Sequence, residues 1–375
     1  LGVTGSIAAV KTVELAHELR RQGARVRAVT TPAAEGIVHP WALAYATDDD
    51  VVTEITGGVE HVALCGEDGW GDVLLVAPAT ANTVGKMAAA VDDTPVTTCA
   101  TTALGAGMPV VVVPAMHEPM YDHPGVLEAI DRVESWGVSF VDPRIEEGKA
   151  KIAEEETIVT EVARATTPNS LAGETVVVTS GATTESLDPI RTLSNRASGR
   201  TGRAVARACY VRGADVVLVH DGPDLPWATV EPVESAAEML DGVLAHADGA
   251  DALVSAAAIS DYTARAAGEK IRSGQEDLTI DLEPTPKLLD TVRERHPDLP
   301  IVGFKTETGD EETLRERART LQERVGLAFV VGNHAGVMGE NETRVVLVDG
   351  DEADVFEGSK DDLGGRVAAR LADAL

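Results

Sequence analysis

Two hydrophobic rhythms alternate along the chain. Short, nearly unbroken apolar runs are separated by segments whose apolar residues recur at helical spacing. In the first half the runs are LGVTG (1–5), ARVRAVTT (24–31), DVLLVAPAT (72–80) and PVVVVPAM (109–116). Rich in Val, they read as strands buried on both faces, as in a parallel sheet. Between the first two, residues 6–22 place Ala9, Val13, Ala16 and Leu19 on one helical stripe. From 142 to 170 the pattern dissolves into polar, mixed sequence, EEGKAKIAEEE and then TTPNS, so a domain boundary is expected around Thr166–Gly173. The grammar then restarts with ETVVVTSG (174–181), a helix from about Gly199 to Arg212, ADVVLVH (214–220) and ADALVSAAA (250–258). PIVGFKTE (300–307), LAFVVGN (327–333) and RVVLVDG (344–350) are further strands, with helices near 234–247, 286–296, 310–325 and 360–375. The expectation is an α/β chain of two Rossmann-like three-layer domains with mostly parallel sheets, residues 1–168 and 169–375. Ligands in such sheets sit at the carboxyl ends of strands, so the loops after each strand are where chemistry is sought.

Composition narrows the function classes. At 375 residues the chain exceeds one ordinary core, and 44% hydrophobic content excludes a disordered acidic polymer. Its 62 Asp+Glu against 32 Lys+Arg give a net charge of −30, which argues against nucleic acid as a partner. Only 8 of the basic residues are Lys and the acids are scattered, the pattern of a solvated acidic shell of the kind halophiles use. Cys65, Cys99 and Cys209 are far apart and form no CxxC, which points away from disulfides and zinc and towards a reducing cytoplasm. There is no apolar run of the roughly 18 residues a membrane span needs. The chain opens on what reads as a strand already under way, which implies leading residues before it.

One window breaks the acidic pattern. From Pro189 to Ala214 there is no Asp or Glu, while Arg191, Arg196, Arg200, Arg203, Arg207 and Arg212 all fall there. SLDPIRTLSNRASGRTG (186–202) supplies Ser, Thr, Gly and Arg to a helix N-terminus, a set that holds phosphates by backbone N–H, dipole and guanidinium fork. The GxxxxGK[ST] spacing of a P-loop is absent. A basic helix face pairing with acids elsewhere would explain the charges but not the Gly, Ser, Asn and Thr among them. In the first half GVTGSIAAVK (2–11) fits either a mononucleotide phosphate or a simple tight turn. VTT (29–31), APATAN (77–82) and VPAMH (113–117) likewise end Val-rich strands in small polar residues, a flat rim suited to a ring with several hydrogen-bonding edges.

GVTGSIAAVK, APATANTVGKMA and VPAMHEPM resemble the flavin-binding phosphopantothenoylcysteine decarboxylases. That resemblance implies a flavoprotein-type first domain holding FMN at Gly5, Ser6, Ile7, Thr30, Ala79, Thr80 and Asn82. It implies oxidation of a cysteine-derived thiol, decarboxylation of the thioaldehyde and re-reduction by the flavin. VEHVAL (59–64) supplies His61 where the family has its general base, and Met116 and His117 would meet substrate. Two departures stand out. The family usually has PAMN where this chain has His117, and its flap Cys has no counterpart in PRIEEGKAKIAEEE (143–156). Proton delivery then falls to Lys149 or Lys151.

VVVTSGATTESLDPIRTLSNRASGRTG (176–202) resembles the TSGGTxExIDPVRxISNxSSGxxG signature of phosphopantothenate–cysteine ligases over its full length. SAAAISDY (255–262), EKIRS (269–273), EPTPKLL (283–289), VGFKTET (302–308) and VGNH (331–334) follow in that family's order. The whole is similar to the bifunctional decarboxylase/ligase family from Leu1 to about Val348. By motif position Asn195 would hold an acyl-nucleotide, Asp261 and Phe304 the nucleotide, and Lys270 the triphosphate. Arg191, Ala257, Pro286, Lys287 and Arg324 would also contact substrate. The resemblance implies CTP or ATP as co-substrate, Mg²⁺ as its hard oxygen-liganded partner, 4′-phosphopantothenate and cysteine as the other small-molecule substrates, and a homo-oligomer. Where bacterial members carry a Lys pair before the last motif, this chain has Leu321 and Val325, so Arg317 or Arg324 would substitute. Three other readings are weighed: a ligase whose first half is only an FMN-binding or oligomerising scaffold, a flavin prenyltransferase-like first half, and a tandem NAD(P) oxidoreductase. The last is disfavoured because no GxGxxG follows any expected strand.

Overall fold

A computed structural model of the chain describes residues 1–272, 278–334 and 342–375. They form two compact units, Leu1–Thr167 and Pro168–Leu375.

The first unit is built on five strands: β1 (Gly2–Val3), β2 (Val29–Thr30), β3 (Leu74–Ala79), β4 (Val110–Pro114) and β5 (Ser139–Phe140). Their order is β2-β1-β3-β4-β5 and every pairing is parallel. This is a doubly wound order whose reversal lies between β1 and β3. Burial of β3 and β4 on both faces follows from their unbroken apolar sequence. β2 is much shorter than the expected 24–31, because its neighbour β1 offers only two residues to pair with. The helix expected over 6–22 begins as a tight 3₁₀ segment, Ile7–Lys11, and continues as the α-helix Thr12–Arg21. The tighter turn rotates the buried face, so Thr12, Leu15, Ala16 and Leu19 are buried and Val13 lies half-buried.

Residues 142–170 correct the picture of a featureless polar stretch. Arg144–Glu146 and Lys149–Lys151 form a hairpin whose turn holds Glu147 and Gly148 at φ 52° and 69°. Met116–His117 joins it as a third strand, His117 pairing with Lys149. Helix Glu155–Thr166 then packs Ile158 and Val159 into the core.

The main sheet of the second unit has, among the described residues, eight strands: β6 (Thr175–Ser180), β7 (Asp215–His220), β8 (Thr229–Pro232), β9 (Ala252–Ser255), β10 (Ile301–Glu307), β11 (Phe329–His334), β12 (Glu342–Asp349) and β13 (Glu352–Ser359); the pairs Thr184–Ser186 with Thr192–Ser194 and Tyr262–Ala264 with Leu282–Pro284 form two small hairpins beside it. The order in the main sheet is β8-β7-β6-β9-β10-β11-β12-β13. Pairings are parallel up to β11, and β12 and β13 add an antiparallel edge. β13 has no unbroken apolar run and was not expected from the pattern. Successive residues of each strand serve opposite cores. Val176, Val178 and Phe329 pack with helices Arg200–Val211 and Lys360–Ala374. Val177, Leu253, Ile301 and Val330 pack with helices Ala236–Ala247, Leu288–Arg295 and Glu311–Val325. All three cysteines are buried and free, and burial pushes the Cys209 thiol up to about 12. No helix among the described residues is long and apolar enough to cross a membrane.

Candidate active sites in the two units

In the first unit the loops after β2, β1, β3 and β4 come together along one carboxyl edge. That edge gathers Gly5, Ser6, Ile7, Thr30, Ala79, Thr80, Asn82, Met116 and His117. Gly5 is required by close approach, since a Cβ there would sit 2.6 Å from the Ala33 Cβ. Thr4 Oγ1 donates to Pro78 O at 2.7 Å and accepts from Thr80 N at 3.3 Å, tying the loop after β1 to the loop after β3. The Thr80 hydroxyl caps helix Ala81–Ala88 by accepting from Thr83 N. Ile7 is 77% exposed beside this polar edge.

His61 stands elsewhere in the sequence order, on helix Glu60–Cys65, which packs on helix Pro95–Gly105. Its Nδ1 is buried and has no hydrogen-bond partner among the described residues. The neighbouring Glu60 is held below the usual carboxylate range, first by the Thr56 hydroxyl and then by the Thr56 amide. In the hairpin, Lys151 Nζ reaches Glu146 at 2.9 Å and Glu147 at 3.1 Å, and these bonds raise its pKa. Lys149 is exposed on the strand that faces His117.

In the second unit a cavity of about 420 Å³ opens at the carboxyl ends of β6, β9, β10 and β11. The strand order reverses between β6 and β9, so this is the crevice the topology predisposes to bind ligands. Beyond the strands the two loops stay joined, with Ala258 N donating to Gly181 O at 2.8 Å and Thr183 N to Ala258 O at 3.2 Å. Asn195 reaches across, its Nδ2 donating to the same Ala258 carbonyl at 3.0 Å. Helix Arg200–Val211 starts at Gly199, which has φ 69° and supplies no side-chain cap, and its first-turn residues Arg200, Thr201 and Gly202 line the cavity. Gly202 lets that turn press on β6, where a Cβ would fall 2.6 Å from the Ser180 Cβ.

The wall carries Arg200, Lys287, Lys305, Arg324 and Lys360 against Asp261 and Asp290, a local excess of positive charge in a chain of net −30. Lys287 Nζ lies 2.6 Å from Asp261 Oδ1, and Arg324 is ion-paired with Asp290. Of the residues singled out in the sequence, Asn195, Ala257, Asp261, Pro286, Lys287, Phe304 and Arg324 line this one cavity. Arg317 is exposed and is not part of that wall, while Leu321 and Val325 pack towards the apolar core.

Two predicted residues stand apart. Arg191 pairs with the buried carboxylate of Asp188 at 3.4 Å and donates to Ile271 O at 2.9 Å, fastening the basic loop to the EKIRS loop. Burial alone would push Asp188 up, but amides of Ile190, Ile271 and Arg191 and the Arg191 charge hold its carboxyl below the usual range. Lys270 is exposed beside that fastening and is not on the cavity wall; Ser273, which ends the EKIRS motif, lies outside the described residues. Asp290, Lys305, Asn333 and Lys360 had not been singled out. Asp290 directly follows EPTPKLL and Asn333 stands inside VGNH, but nothing local marks Lys360.

Fold and site together define a two-unit α/β enzyme, a flavoprotein-type domain followed by a ligase-type domain. A model of the flavoprotein family matches residues 1–167, and one of the DNA/pantothenate metabolism flavoprotein C-terminal domain matches 171–375. "Coenzyme A biosynthesis bifunctional protein CoaBC" of Thermococcus kodakarensis is 48% identical over 361 residues, 94% of this chain and 89% of that protein. The proteins of the same name from Methanocaldococcus jannaschii and Bacillus subtilis are 34% and 32% identical, each over 99% of this chain and over 92% and 96% of their own lengths. The chain belongs to the bifunctional coenzyme A biosynthesis family, which joins a phosphopantothenoylcysteine decarboxylase to a phosphopantothenate–cysteine ligase.

Proposed function

We propose that the second unit (169–375) joins cysteine to 4′-phosphopantothenate at the expense of a nucleoside triphosphate, CTP or ATP. The first unit (1–168) then decarboxylates the product to 4′-phosphopantetheine with FMN. The observation that carries the reading is the cationic cavity at the β6/β9 reversal with Asn195 across its mouth. A triphosphate and a phosphorylated acid are both anionic, and charge builds on the triphosphate oxygens as pyrophosphate leaves. The open first turn of helix Arg200–Val211 supplies amides and dipole for one phosphate group. Lys287 and Arg324 supply side-chain charge from the other face of the sheet, and Lys270, which stands off this wall, is given to the triphosphate by its motif position alone. Asn195 is assigned to the acyl-nucleotide, and Asp261 and Phe304 to the nucleotide. Magnesium would enter on the phosphates, since among the described residues no cluster of three His, Cys, Asp or Glu side chains could hold a metal.

The residues of the first unit fit FMN. Gly5 admits close approach, the hydroxyls of Ser6 and Thr80 cap the segments that follow them, and the buried His61 Nδ1 has no partner. Leaving such an atom unpaired costs about 1–3 kcal/mol, so a ligand supplying the partner is favoured. Bound there, FMN would accept the electrons of thiol oxidation. His61 is assigned the substrate proton. The carboxylates of Glu146 and Glu147 keep the Lys151 proton tightly held, so Lys149, opposite His117, is the better donor of the two. We place this chemistry in the cytoplasm of a salt-rich cell, in a homo-oligomer.

The test incubates the protein with 4′-phosphopantothenate, cysteine, Mg²⁺ and either CTP or ATP in high salt. Masses of phosphopantothenoylcysteine and phosphopantetheine report the two half-reactions and the nucleotide choice together. Absence of both products with either nucleotide would overturn the reading.

A further inference from the structure

The ion pair between Arg324 and Asp290 is placed where a structural pair is not needed. Arg324 lies in the last turn of helix Glu311–Val325 and Asp290 in the first turn of helix Leu288–Arg295, and both residues line the cavity. The two helices are already fastened there by Arg293. Its Nε donates to Val325 O at 2.9 Å and its guanidinium to Gly326 O at 2.9 Å. The Arg324–Asp290 contact uses one guanidinium nitrogen, and the two side chains are 54% and 38% exposed. An exposed pair of this kind is held only weakly, so an incoming phosphate dianion can displace it. It also sits on the wall opposite the open turn of helix Arg200–Val211, the two belonging to opposite faces of the sheet.

We propose that Asp290 is an internal counter-ion for Arg324, displaced when a phosphoryl group of the ligase substrates binds that guanidinium. Asp290 thereby sets substrate selectivity: a monovalent anion such as chloride gains too little at Arg324 to displace a carboxylate held beside it, whereas a phosphate dianion, bound bidentately, gains enough. The inference rests on the ligase reading above, and it makes Asp290 a selectivity residue rather than a catalytic one. The phosphoryl group has two sources, the nucleotide triphosphate and the phosphate of phosphopantothenate, and the kinetics separate them.

Ligase kinetics are measured with each substrate varied in turn, over a KCl series, for the wild type, Asp290→Asn and Arg324→Gln. Product formed by the wild type at saturating substrate tests the ligase reading itself; the comparison of KM values tests the inference. With Asp290→Asn, KM for one of the two phosphorylated substrates is expected to fall about twofold to fivefold at low KCl. It should then rise more steeply with KCl than in the wild type, as chloride gains access to Arg324. Arg324→Gln should raise KM for that same substrate about tenfold or more. A KM raised by both substitutions would overturn the proposal, because Asp290 would then orient Arg324 rather than compete for it. Unchanged KM values and an unchanged KCl slope in Asp290→Asn would overturn it as well. Calorimetric titration of each folded variant with inorganic pyrophosphate, with a melting curve alongside, gives the same comparison without turnover.

Discussion

The two units present their chemistry in different ways. The first arranges small polar residues along an open strand edge with apolar Ile7 exposed beside it, and its candidate base His61 arrives from a helix. The second opens a cavity of about 420 Å³ at the carboxyl ends of its strands and lines it with five basic residues drawn from both faces of its sheet. The contrast follows the ligands each site is read to take. A flat, largely uncharged ring is held by close approach and hydrogen bonds at an edge, which glycines and hydroxyls supply. Phosphates demand concentrated positive potential, which one loop cannot deliver and a crevice fed from two helical layers can.

That contrast predicts separable failures. The largest effect is expected from His61→Asn, which should lower CO₂ release from phosphopantothenoylcysteine by about 10²- to 10⁴-fold and leave ligation intact. Loss of both activities would make the residue structural and collapse the distinction between the units. Asn195→Ala should do the reverse, cutting ligation by on the order of 10²-fold while decarboxylation of supplied intermediate continues. Mass spectrometry of each half-reaction reads both outcomes.

Gly202→Ala sharpens the comparison from the side of packing. Its new Cβ would fall 2.6 Å from the Ser180 Cβ, so the helix turn must lift away from β6. The second unit should lose about 1–3 kcal/mol in a denaturant melt, with flavin binding by the first unit unchanged.

Asp188 gives the second unit an acid sensitivity. Its folded pKa is lowered, so its stabilising contribution is full above the ordinary carboxylate value of about 4 and is lost as pH falls through the lowered value. Asp188→Asn should therefore weaken the unit at neutral pH and flatten the acid limb of its melting temperature against pH. A limb as steep as that of the wild type would remove Asp188 as its source.

The smallest effect concerns the hairpin. Lys149→Gln should slow decarboxylation more than Lys151→Gln does, the latter by less than about tenfold, because two glutamates already hold the Lys151 proton. The opposite ranking in CO₂ release would assign the proton donor to Lys151.

Much of this was legible before any coordinates. Unbroken Val-rich runs became the buried parallel strands β3, β4, β6, β7 and β11, since a strand covered on both faces has no polar side to alternate with. Asn195, Ala257, Asp261, Pro286, Lys287, Phe304 and Arg324 could be singled out from their motifs, and they line one cavity. The hairpin over 144–151 was missed because each short strand holds a single apolar residue, Ile145 or Ala150, too few to show a period, and β13 because charge interrupts its apolar positions. The role of Arg191 as a fastener between two loops was equally hidden, since its partners Asp188 and Ile271 are 3 and 80 residues away.

By itself, then, the chain's pattern determined the alternation of strands and helices, the restart of that pattern near the middle and the glycines at which backbone must approach backbone. These are local properties, set by period, by Cβ sterics and by which residues can begin a helix. Only the tertiary structure decided which charges meet. Lys360 from the last helix, Arg324 from the end of one helix and Asp290 from the start of another share a wall because of the strand order and the faces their helices cover. No spacing along the chain encodes that encounter, because it depends on contacts made through the sheet rather than along it.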